Sequence, residues 1–185
     1  MSIVKRLKKV RNEFLRKVKY RRYSIGKGFS SGMRVRLWAR RKLVIGKNFY
    51  IGRDAFIEAD AIIGDDVMFG NRVAVIGKYD HNYQQIGTPT RLSLQMRDAD
   101  YNWKGIDLMT IIENDVWVGY GSTIYSGVKI CEGSIIAAAS LVIKDVDPYS
   151  IYAGSPARKV KDRFNTVEDL HKHLELVKSK YCGIL

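Results

Sequence analysis

The chain has 185 residues, enough for one domain with decorations, and its net charge of +13 is unevenly spread. Residues 1–42 hold 16 Lys or Arg against Glu13 alone, whereas residues 43–185 hold 16 basic and 18 acidic residues. The folded body is therefore nearly neutral, which argues against a nucleic-acid enzyme, whose basic stripe belongs on that body. Cys131 and Cys182 lie far apart with no partner pattern, which argues against a disulfide scaffold or zinc cluster and for a reducing compartment. The N-terminus lacks a signal-type apolar stretch and no run is long enough to span a membrane, so a cytoplasmic location is expected.

In chain order, residues 1–24 form a basic N-terminal unit, with an amphipathic helix predicted over 3–19. Ile3, Val4, Leu7, Val10, Phe14, Leu15 and Val18 share one face at helical spacing, interrupted by Arg11. Residues 25–42 read as irregular first coils, in register at Ile25 and Phe29 and slipping near Trp38. From Ile45 a six-residue beat takes over. Large apolar residues fall at Ile45, Ile51, Ile57, Ile63, Phe69 and Val75, and again at Ile112, Val118, Ile124, Ile130, Ile136 and Val142. Four positions after the first five stand Phe49, Ala55, Ala61, Val67 and Val73. Residues 77–110 break the beat with a segment too long for a turn and rich in aromatic side chains. The segment Asp147-Pro148-Tyr149 closes the repeats, residues 150–163 extend them, and 164–185 carry a final helix over about 167–180. Thr166 is placed to cap that helix, with Leu170, Leu174 and Val177 on one face.

A period of six suits neither a helix nor a long alternating strand. Each unit holds a short extended stretch and a turn of Gly, Asn or Asp, as in Ile63-Gly64-Asp65-Asp66, and such residues accept positive φ or bond their own backbone. Three units close a triangular coil of about 18 residues, and stacked coils bury a continuous aliphatic core that none could bury alone. The expected fold is an all-β solenoid, a parallel β-helix flanked by the two helices. Spacing leaves its handedness open.

The segments Ile63-Gly64-Asp65-Asp66-Val67 and Val118-Gly119-Tyr120-Gly121-Ser122 resemble the hexapeptide repeat of left-handed β-helix acyltransferases. Asp115-Val116-Trp117-Val118-Gly119, the stretch from Ile136 to Asp145, and Ala153-Gly154-Ser155-Pro156-Ala157-Arg158 resemble the C-terminal half of sugar O-acetyltransferases. Gly26-Lys27-Gly28-Phe29-Ser30-Ser31-Gly32 and Asp80-His81-Asn82 are most similar to bacterial enzymes that acetylate O-antigen and other surface polysaccharides. The resemblance covers about residues 25–163, the acyltransferase domain with its inserted loop 77–110. It implies a left-handed helix, a homotrimer, acetyl-CoA as acyl donor and a glycan or lipid-linked glycan acceptor.

Moving an acetyl group from a thioester to a hydroxyl needs a base, and imidazole suits that at neutral pH. His81 is separate from His171 and His173 on the final helix, and the family's catalytic histidine sits where His81 does, so the resemblance implies that role. Taken alone, a loop histidine that bonds its neighbours would be the simpler reading. Asp80 is adjacent, and Glu58 replaces Gly at a repeat turn; either carboxylate could orient the base. The resemblance places Trp117, Gly119 and Tyr120 near the thioester, Ala138 beside the pantetheine, Ile143 and Lys144 next along the groove, and Arg158 and Lys161 near the nucleotide. Family members often carry small or hydroxylated residues where Tyr120 and Ile143 stand. Tyr79, Tyr83 and Trp103 could stack on an acceptor sugar or anchor the loop.

The leading expectation is an acetyl-CoA-dependent sugar O-acetyltransferase working by direct transfer. Alternatives are an acetyltransferase for an amino sugar, a free sugar or an antibiotic, and a non-enzymatic solenoid binding anionic surfaces through its basic N-terminus. Serine acetyltransferases carry a large helical N-terminal domain that this sequence does not show, which lowers that option. A carbonic anhydrase would need about three histidine ligands, and the repeats with their loop supply one, so no metal is expected. Peripheral membrane contact through residues 1–19 is a further expectation, with packing of the stripe on the first coils or on another subunit as its alternative.

Overall fold

The computed structural model describes residues 3–181, so Cys182 lies outside the described residues. Among these, five complete coils stack into a triangular prism. The first coil is β1 (Ser24–Ile25), β2 (Ser30–Ser31) and β3 (Arg36–Trp38); the second is β4 (Leu43–Ile45), β5 (Tyr50–Ile51) and β6 (Phe56–Glu58). The third is β7 (Ala61–Ile63), β8 (Met68–Phe69) and β9 (Ala74–Ile76); the fourth is β10 (Thr110–Ile112), β11 (Trp117–Val118) and β12 (Thr123–Tyr125). The fifth is β13 (Lys129–Ile130), β14 (Ile135–Ile136) and β15 (Leu141–Val142). Every third strand shares a side of the prism, in the orders β1-β4-β7-β10-β13, β2-β5-β8-β11-β14 and β3-β6-β9-β12-β15. These neighbours pair in parallel.

All twelve beat residues point inward and are buried, as are Phe49, Ala55, Ala61, Val67 and Val73. The rings of Phe29, Phe49 and Phe69 form a column through the first three coils. The turns divide the demands on the backbone in a way that refines the expectation above. Where glycine follows an anchor, at Gly46, Gly52, Gly64, Gly70 and Gly119, it is needed for coil-to-coil spacing: a Cβ at Gly64 would come within 2.8 Å of the Asn114 nitrogen, in the coil above. Positive φ falls two places later, at Asn48, Asp54, Asp66, Arg72 and Asp115. Asn and Asp side chains also bond the coil below, with Asn114 Oδ1 accepting from the Asp65 N–H at 2.8 Å.

Residues 25–42 belong to one full coil. Ser24 faces Val44, twenty residues on, whereas Val44 faces Ile62, eighteen on. The two extra residues lie in the corner after Trp38, which is where the beat slips. At the other end β16 (Ser150–Gly154) continues the second side above β14, and β17 (Ala157–Asp162) folds back antiparallel on it.

Helix α1 (Ile3–Phe14) runs into a π-helical turn at Leu15–Lys19. Leu15, Tyr20 and Tyr23 pack on the first coil and close the bottom of the core. Helix α2 (Val167–Tyr181) begins at a Thr166 cap whose Oγ1 accepts from the Asp169 N–H at 3.0 Å. His173 on α2 packs on Phe164 and stands 3.6 Å from Asp115, but the expected face stays largely open, with Leu174 and Val177 exposed. Among the described residues no helix is long and apolar enough to cross a membrane.

Candidate active site

The inserted loop leaves the third side of the prism after Ile76 and returns to the first side at Thr110. It is held by the first coil. The guanidinium of Arg40 donates to four loop carbonyls: Nη1 to Met96 at 2.5 Å and Asp98 at 2.8 Å, Nη2 to Ala99 and Tyr101 at 3.3 Å. Arg41 bridges Asp60 and Asp107. Both arginines sit in the corner that carries the extra residues. Within the loop, buried Tyr101 brings its hydroxyl to 2.7 Å from the carbonyls of Tyr79 and Lys104.

This packing fixes the root of the loop. His81 forms an antiparallel bridge with Gln95, flanked by the Asn82 N–H donating to Leu94 and the Met96 N–H donating to Asp80. His81 and Asp80 line a cleft with Glu58, Trp38, Gln95, Met96 and Arg97. Trp38 and Glu58 enter through register: Trp38, Glu58 and Ile76 are aligned on successive coils at the edge where the loop departs. Arg97 stacks over Trp38, 4.5 Å from the ring centre, and stands 3.6 Å from Glu58, which Arg36 also approaches at 3.4 Å.

Asp80 keeps a solvent-facing surface, yet its carboxylate folds over Gly77, where a Cβ would collide with Oδ1. Burial of that group raises its pKa; the nearby His81 acts against this, Glu58 reinforces it, and Arg97 opposes it. A partly desolvated carboxylate thus lies in the field of the histidine. Among the described residues none hydrogen-bonds the His81 imidazole, which leaves its nitrogens to the cleft. Trp38 and Arg97 are site residues that the sequence reading did not select. Counting the first coil as twenty residues would have put Trp38 beside Glu58.

Tyr79, Tyr83 and Trp103 pack on one another, Trp103 edge-on to both tyrosines with ring centres 5.8 and 4.8 Å away. None of the three lines the cleft with His81.

The residues proposed to meet the acyl donor divide between two corners. Trp117 ends on the outer face of the second side, exposed, and the corner beyond it carries Gly119 and Tyr120. Ala138 lies directly above: a Cβ on Gly119 would be 2.6 Å from the Ala138 nitrogen. Arg158 follows on the next level, paired with Ala153 in the terminal hairpin. These five form an ascending line along one edge. Lys161 pairs with Ile151, nearer the start of the same hairpin, whereas Ile143 and Lys144 follow β15 into the corner where, two coils lower, the loop departs.

Residues 109–144 match the family model described as bacterial transferase hexapeptide (six repeats). That segment carries the repeat the model describes. A probable macrolide acetyltransferase from Lysinibacillus sphaericus is 57% identical over 56 residues, covering 30% of this chain and 31% of that protein. A chloramphenicol acetyltransferase from Klebsiella aerogenes is 48% identical over 67 residues, 36% of this chain and 31% of the relative. The chain thus spans about a third of the length of the curated relatives it matches. Over most of the chain the hexapeptide-repeat solenoid also resembles solved structures. A hexapeptide-repeat acetyltransferase from Vibrio cholerae, complexed with acetyl coenzyme A, superposes with a TM-score of 0.62 at 24% identity, covering 87% of this chain and 85% of the other. A maltose O-acetyltransferase from Clostridium difficile gives 0.61 at 20% identity, with coverage of 89% and 90%. The shared architecture is the left-handed β-helix that the hexapeptide motifs implied.

Proposed function

We propose that the protein is an acetyl-CoA-dependent O-acetyltransferase whose acceptor is a sugar hydroxyl of a bacterial surface polysaccharide or its precursor, with His81 as general base. The observation that carries this reading is the position of His81, alone among the histidines in lining a cleft at the root of the inserted loop, beside the partly desolvated carboxylate of Asp80. Acetyl-CoA supplies an activated thioester. An imidazole nitrogen of His81 accepts the proton of the acceptor hydroxyl as that oxygen bonds to the thioester carbonyl carbon. The carbon–sulfur bond then breaks, and the departing thiolate takes up the proton held by the His81 imidazolium, restoring the base. Asp80 stabilises the imidazolium formed on the way, as carboxylates do when they sit beside a catalytic histidine.

The donor lies along the edge marked by Trp117, Gly119, Tyr120, Ala138 and Arg158. The ascending order suits an extended ligand, with the close coil spacing at Gly119–Ala138 admitting the pantetheine and Arg158 meeting the nucleotide phosphates. Lys161 extends the contact along the terminal hairpin, and Ile143 and Lys144, on the loop-side corner, can reach the donor only from a neighbouring subunit. The cleft and this edge lie at opposite ends of the third side, a separation of roughly 15–20 Å at the strand rise. Acyl transfer needs reacting atoms within about 3.5 Å. The reading therefore pairs the His81 cleft of one subunit with the donor edge of a neighbour, in a homotrimer.

A second acceptor class is favoured by the local identity to the macrolide and chloramphenicol enzymes: a small antibiotic hydroxyl rather than a glycan. Thioester consumption measured against glycans, free sugars, amino sugars and these antibiotics separates the two. Consumption only with an antibiotic replaces the glycan, and none with any acceptor overturns the transferase reading. With the active acceptor in hand, His81→Ala is expected to lower turnover by about 10²–10⁴-fold while donor binding changes by no more than a few-fold. Near-normal turnover removes His81 from the chemistry.

A further inference from the structure

Helix α1 is docked with its polar side inward. Asn12 is the buried residue of the helix, its Nδ2 donating to Ser30 Oγ at 3.3 Å and its Oδ1 accepting from the Ser31 N–H at 3.4 Å. On either side of it Arg11 reaches the Ser31 carbonyl and the Met33 sulfur, and Arg16 donates to the Ile25 carbonyl at 3.3 Å while pairing with Glu13. Docking by the polar face turns the apolar face outward. Ile3, Val4, Leu7, Val10, Phe14 and Val18 are between 53% and 77% exposed. Of the expected stripe, Leu15 alone packs on the core. The first coil therefore does not cover the stripe.

An uncovered stripe of this size costs solvation in water and calls for an occupant. The charge around it decides which. Arg6, Lys8, Lys9 and Lys17 project from the same helix and are exposed. Lys8 and Lys9 also line, with Lys5, an open groove between the helix and Gly28–Ser30. A second copy of the same helix would bring like charges together around the apolar contact, which is unfavourable. An anionic lipid surface reverses that sign: acyl chains take the apolar side chains, and headgroup phosphates meet Arg6 and Lys17, which helical spacing sets beside Val10 and Phe14.

We propose that α1 is a fixed membrane-docking face, presenting its outward apolar stripe and the basic side chains beside it to an anionic phospholipid surface. The solenoid holds the helix in place before contact, so docking needs no coil-to-helix transition, and the prism is carried with its first coil toward the membrane. The inference is independent of the enzymatic reading, since binding is measured without turnover.

The full chain is mixed with vesicles of phosphatidylcholine alone or with phosphatidylglycerol added, and sedimented. Binding to the anionic vesicles is expected, weakening as salt rises, with little binding to the neutral ones. The double variant Leu7→Asp/Val10→Asp is expected to lose about tenfold or more of that affinity while melting like the parent, because both side chains are exposed. Arg6→Glu/Lys17→Glu, at the border of the stripe beside Val10 and Phe14, should weaken the anionic binding alone. Absence of binding to anionic vesicles overturns the proposal, as does equal binding by the aspartate variant. A fall in oligomer size on the aspartate substitutions, seen by sedimentation velocity, assigns the stripe to a second copy and overturns it too.

Discussion

Asp80 is asked to do two things that pull its energetics apart. Folding its carboxylate over Gly77 removes water from a charged group, so the ionised form is disfavoured in the folded protein and the pKa rises. The same placement holds negative charge in the field of His81. A raised folded pKa means the penalty applies at neutral pH and lifts as pH falls through that raised value, disappearing below the ordinary carboxylate range of about 4. Asp80→Asn removes the charge and keeps the shape. It is expected to melt at or above the parent temperature at neutral pH, with the advantage narrowing as pH is lowered toward about 4. If Asp80 stabilises the His81 imidazolium, the same variant loses turnover, so activity and stability move in opposite directions. A variant less stable at neutral pH shows that the carboxylate contributes net structural stabilisation instead.

At the scale of elements, the extra residues in the first coil and the inserted loop form one device. Arg40 and Arg41 occupy the corner that breaks the repeat, and Arg40 gathers four carbonyls spread over Met96 to Tyr101. The aliphatic core does not include either arginine. Arg40→Ala is accordingly expected to leave the solenoid's melting little changed while exposing the loop, with limited proteolysis accelerating within 77–110 and turnover falling through loss of His81 placement. A cleavage pattern identical to the parent's means that the aromatic packing around Trp103 holds the loop by itself. The contrast also marks what could be read from the chain. Inward residues repeat because each coil meets the same core, so Ile45 to Val75 and Ile112 to Val142 declared the solenoid, and His81 stood out by position. Trp38 did not, since its alignment with Glu58 depends on two extra residues that make no periodic signal. The docking of α1 was hidden for a related reason. Its apolar stripe is plain in sequence, but which face meets the coil is decided by Asn12, Arg11 and Arg16 finding backbone partners on β2 and at Ile25.

For the whole molecule, the question is whether a single prism has enough walls. The outer face of the second side carries Tyr50, Met68 and Trp117 in register on successive coils, each exposed beyond 40%. Such a ladder of large apolar side chains is what a neighbouring subunit would cover, and it adjoins the edge that leads through Gly119 and Ala138 to Arg158. Under cyclic symmetry, copies contacting through two different faces close into a ring, and the neighbour's loop side can then supply His81 to that edge. In such a ring the basic helices would share one end of the particle, because each caps the first coil of its own prism. The expected outcome is a trimer in sedimentation equilibrium, with specific activity that falls on dilution in step with dissociation. Mixing two inactive variants gives the sharper test. A His81→Ala chain and an Ala138→Trp chain, its donor edge filled from an exposed position, should each be inactive alone and recover part of the activity when unfolded and refolded together, since some interfaces then join an intact cleft to an intact edge. Absence of any recovery in mixed trimers, or full activity in a monomer, returns both halves of the site to one chain and removes the shared-interface model.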